Sequence, residues 1–190
     1  TRDDLPDGGA RHFAETIQAI RRLAPDTVIE VLIPDLQGVE AALDVIIAAE
    51  PKVINHNLET IAPLYPQVRP QADYQRSLQV IAYVKGKAPH ILTKSGLMVG
   101  LGENSLQVAA ALADLRSAGC DLLTIGQYLA PSAEHVPVKE YIIPGQFDFY
   151  RKLARALGFI YAACDSLVRS SYRAAEGFQQ NRSCAGSQVR

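Results

Sequence analysis

Segments with helical hydrophobic spacing alternate with short apolar, strand-like runs along this chain of 190 residues, and that alternation restricts its fold more than any other feature. After the Gly8-Gly9 break, Phe13, Ala14, Ile17 and Ile20 recur at helical spacing until Pro25, and residues 28–33 then read as a strand. The order repeats. A helix over 39–49 carries Leu43, Ile46 and Ile47 on one side and leads to Val53-Ile54; a helix over 73–84 groups Tyr74, Leu78, Ile81 and Val84 ahead of a strand over 91–99 that ends at Gly100. A further helix over 105–118 precedes a strand over 122–128. Strands separated by helices cannot form hairpins with one another, so the pattern predicts an α/β fold with a parallel sheet covered by helices, as a complete or incomplete barrel. A doubly wound open sheet is the alternative. Residues 130–145, rich in Pro and polar side chains, read as a long ordered loop, followed by a helix over 146–157 and an apolar stretch over 159–163. The expected organisation is one domain over 1–178 with a flexible tail over 179–190.

Charge narrows the partners. Nineteen basic and twenty acidic residues leave a net charge of -1, which supplies no general attraction to nucleic acid or to an anionic membrane. No apolar run approaches the roughly 20 residues that span a bilayer. The chain opens on Thr1 and enters a charged turn at once, which suggests a fragment whose preceding strand is absent. Cys120, Cys164 and Cys184 lie far apart without CxxC spacing, so they read as isolated thiols rather than as a self-contained metal site.

In a parallel α/β fold the strand ends collect on one face, and polar residues there are the functional candidates. Four clusters qualify: Glu30 with Asp35; Asn55-His56-Asn57 with Glu59; Lys94-Ser95 with Gly96 and Gly100; and Gly126-Gln127-Tyr128. The second places amide, imidazole and carboxylate groups side by side, a set able to bind hydroxyls, an amine or a carboxylate. It could equally satisfy a turn and the next helix start. His56 by itself fits a hydrogen-bonded structural histidine. The run Gly96-Leu97-Met98-Val99-Gly100-Leu101-Gly102-Glu103 joins strand to helix through close glycines, which would let a flat ligand or a backbone approach, and it lacks the Lys-Ser/Thr of a P-loop. Arg169-Ser170-Ser171-Tyr172 fits a helix cap or an ion-pair site.

Taken together and in order, five strings resemble the lipoyl synthase family of the radical S-adenosylmethionine enzymes over nearly the whole chain, to about Ala174. They are Thr-Arg-Asp-Asp-Leu-Pro-Asp-Gly-Gly-Ala at 1–10, Asn-His-Asn-Leu-Glu-Thr at 55–60, Thr-Lys-Ser-Gly-Leu-Met-Val-Gly-Leu-Gly-Glu at 93–103, Leu-Thr-Ile-Gly-Gln-Tyr-Leu at 123–129 and Arg-Ser-Ser-Tyr at 169–172. The resemblance implies a partial (β/α) barrel of the radical S-adenosylmethionine type, truncated at its N-terminus and corresponding to the C-terminal two-thirds of the family's length. It implies radical insertion of two sulfur atoms at C6 and C8 of a protein-bound octanoyl-lysine, with S-adenosylmethionine and two 4Fe-4S clusters as cofactors. Partners would be octanoylated lipoyl carrier domains (2-oxoacid dehydrogenase E2 subunits and glycine cleavage H protein) and an electron donor such as ferredoxin or flavodoxin, in bacterial cytoplasm or in a mitochondrion or plastid.

Residue by residue, the resemblance places Asp3 and Asp4 near the amino acid end of S-adenosylmethionine and Asn57 and Glu59 near its ribose or methionyl part. Lys94 joins the same set. Gly96, Met98, Gly100 and Glu103 are similar to a GxIxGxxE motif that supports the adenosyl group, with Met98 in place of Ile, and Gln127 and Tyr128 would lie beside the adenine. Ser171 would be an iron ligand of the auxiliary cluster. Both cysteine triplets of the family, CxxxCxxC and CxxxxCxxxxxC, are missing from this chain, so the 190 residues alone are expected to be inactive. A non-catalytic module that binds S-adenosylmethionine or a lipoyl carrier is the alternative.

Overall fold

The structure is a computed structural model that describes residues 5–186, with side chains to residue 180. Five parallel strands form one sheet in the order β1-β2-β3-β4-β5: β1 (Glu30–Leu32), β2 (Val53–Asn55), β3 (Leu92–Val99), β4 (Leu122–Gln127) and β5 (Tyr161–Cys164). Spatial order equals chain order. A doubly wound sheet reverses its strand order at a switch point, so the architecture is an incomplete (β/α) barrel that does not close.

Helices α1 (Ala10–Leu23), α2 (Glu40–Ala48), α3 (Tyr65–Val68), α4 (Tyr74–Lys87), α5 (Ser105–Ser117) and α6 (Pro144–Ala156) connect or precede the strands. Their starts are written locally. Asp73 accepts from the Arg76 N–H to cap α4, and Asn104 and Gln107 form a reciprocal capping box on α5. Pro144 occupies the first turn of α6, where no N–H is needed.

Strand register sorts the side chains onto two faces. Leu97, Val99, Leu123, Ile125 and Cys164 point outward into a core with Val108, Leu112 and Leu115 of α5 and Phe147 and Tyr150 of α6. Ile29, Ile33 and Ile54 meet Ala14, Ile17, Leu43, Ile46, Val80 and Val84 in a second core under α1, α2 and α4. Leu112, Leu115 and Ile125 are fully buried, each worth about 1.5–3 kcal/mol of transfer free energy. The opposite, inner face carries a row running Leu32, Asn55, Lys94, Leu122 and Tyr161, then Gly96 with Thr124, then Met98 with Gly126.

The expected elements all occur, with two differences. The strand expected over 28–33 is confined to β1, an edge strand with one neighbour. The boundary at 178/179, where a tail was expected, falls inside α7 (Ala174–Gly186). The reason is tertiary: Phe178 packs with Val53, Leu92 and Leu122 on the inner face, beside Tyr161, and a Cβ at Gly177 would lie 3.2 Å from the Tyr161 ring. Tyr161 Oη also donates to Glu176 at 2.9 Å.

Candidate functional site

At the C-terminal ends of β1 and β2 the chain leaves a cavity of about 780 Å³, in the range of small-molecule sites. Its walls include Gly8, Asp35, Leu36 and Gln37 from one side and His56, Asn57, Glu59, Arg69 and Arg76 from the other. Asn57 and Glu59, two of the residues the resemblance selects, therefore share one cavity.

The backbone here is bent into uncommon shapes. Leu36, Gln37 and Glu59 adopt φ of 48°, 52° and 68°, left-handed conformations that cost side-chain-bearing residues about 1–3 kcal/mol each. Glu59 is held there because its N–H donates to Gly96 O at 2.9 Å while its own carbonyl accepts from the Met98 N–H at 2.8 Å. This stitch fixes the 56–59 turn to β3.

Polar groups in the cavity are incompletely paired. His56, 3% exposed, hydrogen-bonds Ile33 O through Nδ1 at 3.1 Å, and its Nε2 has no partner among the described residues. Burial holds the imidazole below its ordinary pKa, with Arg69 and Arg76 adding to that effect and the Ile33 bond and Asp35 opposing it. Asn57 Oδ1 is also buried without a partner, while the Asn57 side chain hydrogen-bonds Glu59. Burial raises the Glu59 carboxyl above its ordinary value against the lowering by Asn57 and Arg69. Arg69 donates to the carbonyls of Asn57 and Leu58 and to Tyr65 Oη, and among the described residues no carboxylate pairs with it. Asp35, by contrast, is spent: burial raises its pKa, but the Gln37 N–H and Arg76 overcome that and hold it low.

The remaining selected residues lie elsewhere, and most are saturated. Lys94 is buried on the inner face with its ammonium 2.7 Å from Glu30 Oε1. Gly96 abuts the cavity residues: a Cβ there would lie 2.7 Å from Thr124 Oγ1 and 3.0 Å from Asn57 Oδ1. Gly100, at φ 100°, leaves room for Gln127 Nε2 and Glu140 O, which a Cβ would overlap. Protein neighbours lie beside both glycines, Thr124 and Asn57 at Gly96 and Gln127 and the Glu140 carbonyl at Gly100. Glu103 folds back to accept from the Gly100 and Leu101 N–H groups at 2.6 and 2.9 Å. Gln127 gives both ends of its amide to the loop over 128–143: Nε2 donates to Tyr128 O and Glu140 O, and Oε1 accepts from the Ile142 N–H. Tyr128 Oη donates to Val136 O. Met98 stays partly exposed on the inner face. Asp3 and Asp4 lie outside the described residues.

Ser171 sits exposed in the turn before α7. The segment leading to it crosses the inner face, since a Cβ on Gly126 would overlap Val168 O. Among the described residues no group of three or more His, Cys, Asp or Glu could hold a metal ion. Cys120 and Cys164 are buried on the outer, helix-covered side; burial pushes the Cys120 thiol far up and that of Cys164 up to about 12. The described residues by themselves therefore do not fit an iron-sulfur cluster. His56 and Asn57 both line the cavity, and His56 Nε2 and Asn57 Oδ1 are buried acceptors without a partner among the described residues.

His56 is hydrogen-bonded to Ile33 O, as a structural histidine would be; spacing alone could not show that its Nε2 is left without a partner among the described residues.

No family model matches the chain. It is 51% identical over 181 residues to the lipoyl synthase of Alkaliphilus metalliredigens, covering 95% of this chain and 62% of that protein. It is 52% identical over 182 residues to that of Caldanaerobacter subterraneus subsp. tengcongensis (96% and 64%) and 55% over 174 residues to that of Laribacter hongkongensis (91% and 55%). The chain thus spans less than two thirds of the length of these relatives. Among solved structures, methylornithine synthase (PylB) superposes with a TM-score of 0.60 over 87% of this chain and 57% of that one, at 14% identity, a likeness of fold. No helix among the described residues is long and apolar enough to cross a membrane. Sharing about half its residues with them along more than nine-tenths of its own length, the chain is a homologue of the lipoyl synthases.

Proposed function

We propose that this chain is the part of a lipoyl synthase that binds the adenosyl cofactor, and that the complete protein inserts two sulfur atoms at C6 and C8 of an octanoyl-lysine on a lipoyl carrier domain. The observation that carries the reading is the sequence identity to lipoyl synthases along nearly the whole chain. S-adenosylmethionine, when bound and reduced through a 4Fe-4S cluster, would supply the radical that removes hydrogen from unactivated carbon. This chain's own residues would bind and orient. Asn57 and Glu59 would present acceptors to the ribose hydroxyls, and Arg69, which no carboxylate pairs among the described residues, lines the same cavity. The strained 56–59 turn, stitched to β3, keeps those acceptors in place without reorganisation on binding. Gly96 lets Asn57 sit close against β3. The buried Lys94–Glu30 pair lines the inner face, and Glu103 and Gln127 fix the glycine turn and the 128–143 loop that frame the far side.

Ser171 would contribute one oxygen ligand to an auxiliary cluster, giving two 4Fe-4S clusters in the whole enzyme. Carrier partners would be 2-oxoacid dehydrogenase E2 subunits and glycine cleavage H protein, with ferredoxin or flavodoxin as electron donor. The compartment would be bacterial cytoplasm or an organelle.

The test uses a longer protein containing this chain, reconstituted anaerobically with iron and sulfide and given octanoylated H protein, S-adenosylmethionine and dithionite. Formation of 5'-deoxyadenosine together with lipoylated H protein supports the assignment; absence of both products from a protein that carries its clusters refutes it. A second reading, a non-catalytic module that binds S-adenosylmethionine or a carrier domain, is favoured by the lack of a cluster-binding donor set among the described residues. Calorimetric titration of the 190-residue chain with each ligand separates the two: binding without turnover marks the module.

A further inference from the structure

We propose that α7 is a displaceable cover of the inner face: Phe178 occupies an apolar floor that the substrate's acyl chain takes when the helix withdraws. This names a regulation of the proposed reaction and rests on the reading of an octanoyl group as its substrate.

The floor is set by strand register. Val53, Leu92, Leu122 and Tyr161 are the first residues of β2, β3, β4 and β5, so they form the lower part of the inner face. Val53, Leu92 and Leu122 are 2%, 5% and 2% exposed, yet they belong to neither helix-covered core. Phe178 of α7 packs against them, with Ile160 and Tyr161 alongside. Gly177 brings the helix close, since a Cβ there would lie 3.2 Å from the Tyr161 ring and 3.5 Å from Leu122 Cδ1.

The hold on this cover is narrow. Among the described residues, Phe178 is the one side chain of α7 in an apolar cluster. The Tyr161–Glu176 hydrogen bond and the Arg173–Glu176 ion pair are both exposed to water, where such links are weak. Gly177 lowers the helix propensity of the segment it lets approach, and Arg173, at φ 47°, enters the helix through a left-handed conformation that is costly for a residue with a side chain. A helix pinned by one aromatic ring belongs to the part of a fold that opens first. Beneath it lie aliphatic and aromatic groups with no charge among them, and an unbranched acyl chain gains by covering the same surface. The next level of the inner face carries only the small residues Gly96, Thr124 and Ala163 on β3, β4 and β5, so no long side chain of those strands stands in the way of such a chain there.

The test is calorimetry of the full chain with Nε-octanoyl-lysine and Nε-acetyl-lysine as probes, hydrogen exchange of residues 174–180, and circular dichroism to confirm folding. A floor that is free only while α7 is away binds with an affinity reduced by the open fraction. Phe178→Ala should therefore bind Nε-octanoyl-lysine about tenfold more tightly than wild type, with no such gain for Nε-acetyl-lysine, and Nε-octanoyl-lysine should speed the exchange of 174–180 in wild type. Tyr161→Phe drops the Glu176 bond, leaves the ring on the floor, and should gain about threefold. Octanoyl-lysine binding by Phe178→Ala that is equal to or weaker than that of wild type, or exchange of 174–180 that slows on binding, overturns the proposal. Should Phe178→Ala fail to fold, the same two readings on Tyr161→Phe decide. Nε-octanoyl-lysine bound by neither wild type nor variant overturns the acyl floor alone, because the reaction is judged separately by product formation in the longer protein. Absence of product there, beside a tenfold gain here, refutes the reaction and leaves the cover standing.

Discussion

The end of β2 and the end of β4 lie at the same edge of the sheet, yet they treat their polar side chains in opposite ways. At the end of β4, Gln127 uses both its amide nitrogen and its oxygen on the 128–143 loop, and Tyr128 gives its hydroxyl to Val136 O. At the end of β2, His56 Nε2 and Asn57 Oδ1 have no partner among the described residues. A polar group that the protein itself satisfies holds structure, and one that the fold leaves unpaired in a cavity is available to a ligand. Amide-bearing motifs of similar sequence character are thus paired differently because of what lies across from them.

The largest effect should come from breaking the saturated side. Gly100→Ala places a Cβ at φ 100° where Gln127 and Glu140 O already sit, and should destabilise the fold by about 3–5 kcal/mol in urea titration. Gln127→Ala is milder. It strands the Ile142 N–H and two carbonyls, should cost about 2–3 kcal/mol, and should open the 128–143 loop to limited proteolysis. If that loop stays protected, Gln127 is not the post that holds it.

Acid probes the unsaturated side. The folded pKa of His56 is depressed by burial, so its neutral form contributes stability above the ordinary imidazole range, and that contribution is lost as pH falls through the folded pKa. Thermal stability of wild type should therefore decline from about pH 7 toward about pH 5, and His56→Asn should flatten that decline. An identical slope in the variant would mean that other groups carry it. The smallest stability effect belongs to Asn57→Ala. Oδ1 has no partner among the described residues and only the side-chain bond to Glu59 is lost, so the loss should be about 1 kcal/mol, while adenosine affinity falls about tenfold. Equal losses of stability and binding would place Asn57 on the structural side of the comparison.

The sequence by itself determined the winding. Apolar periods alternate between helix and strand because each segment has one face to bury, and this order allows only a parallel sheet with helical crossovers. It also pointed to kinship, since the ordered strings at 55–60, 93–103 and 123–129 resemble the lipoyl synthases, and relatives of that name share about half the residues. It placed Asn57 and Glu59 beside one another at a strand end, and both line one cavity. Tertiary structure alone decided the rest. Periodicity reports which side of a segment is apolar, not which distant group pairs with a polar atom. The Gln127 amide is satisfied by residues 140 and 142, the Lys94 ammonium by Glu30, and the His56 Nδ1 by Ile33. The contact of Phe178 with the inner face of the sheet and the Tyr161–Glu176 bond are likewise long-range pairings that composition does not report.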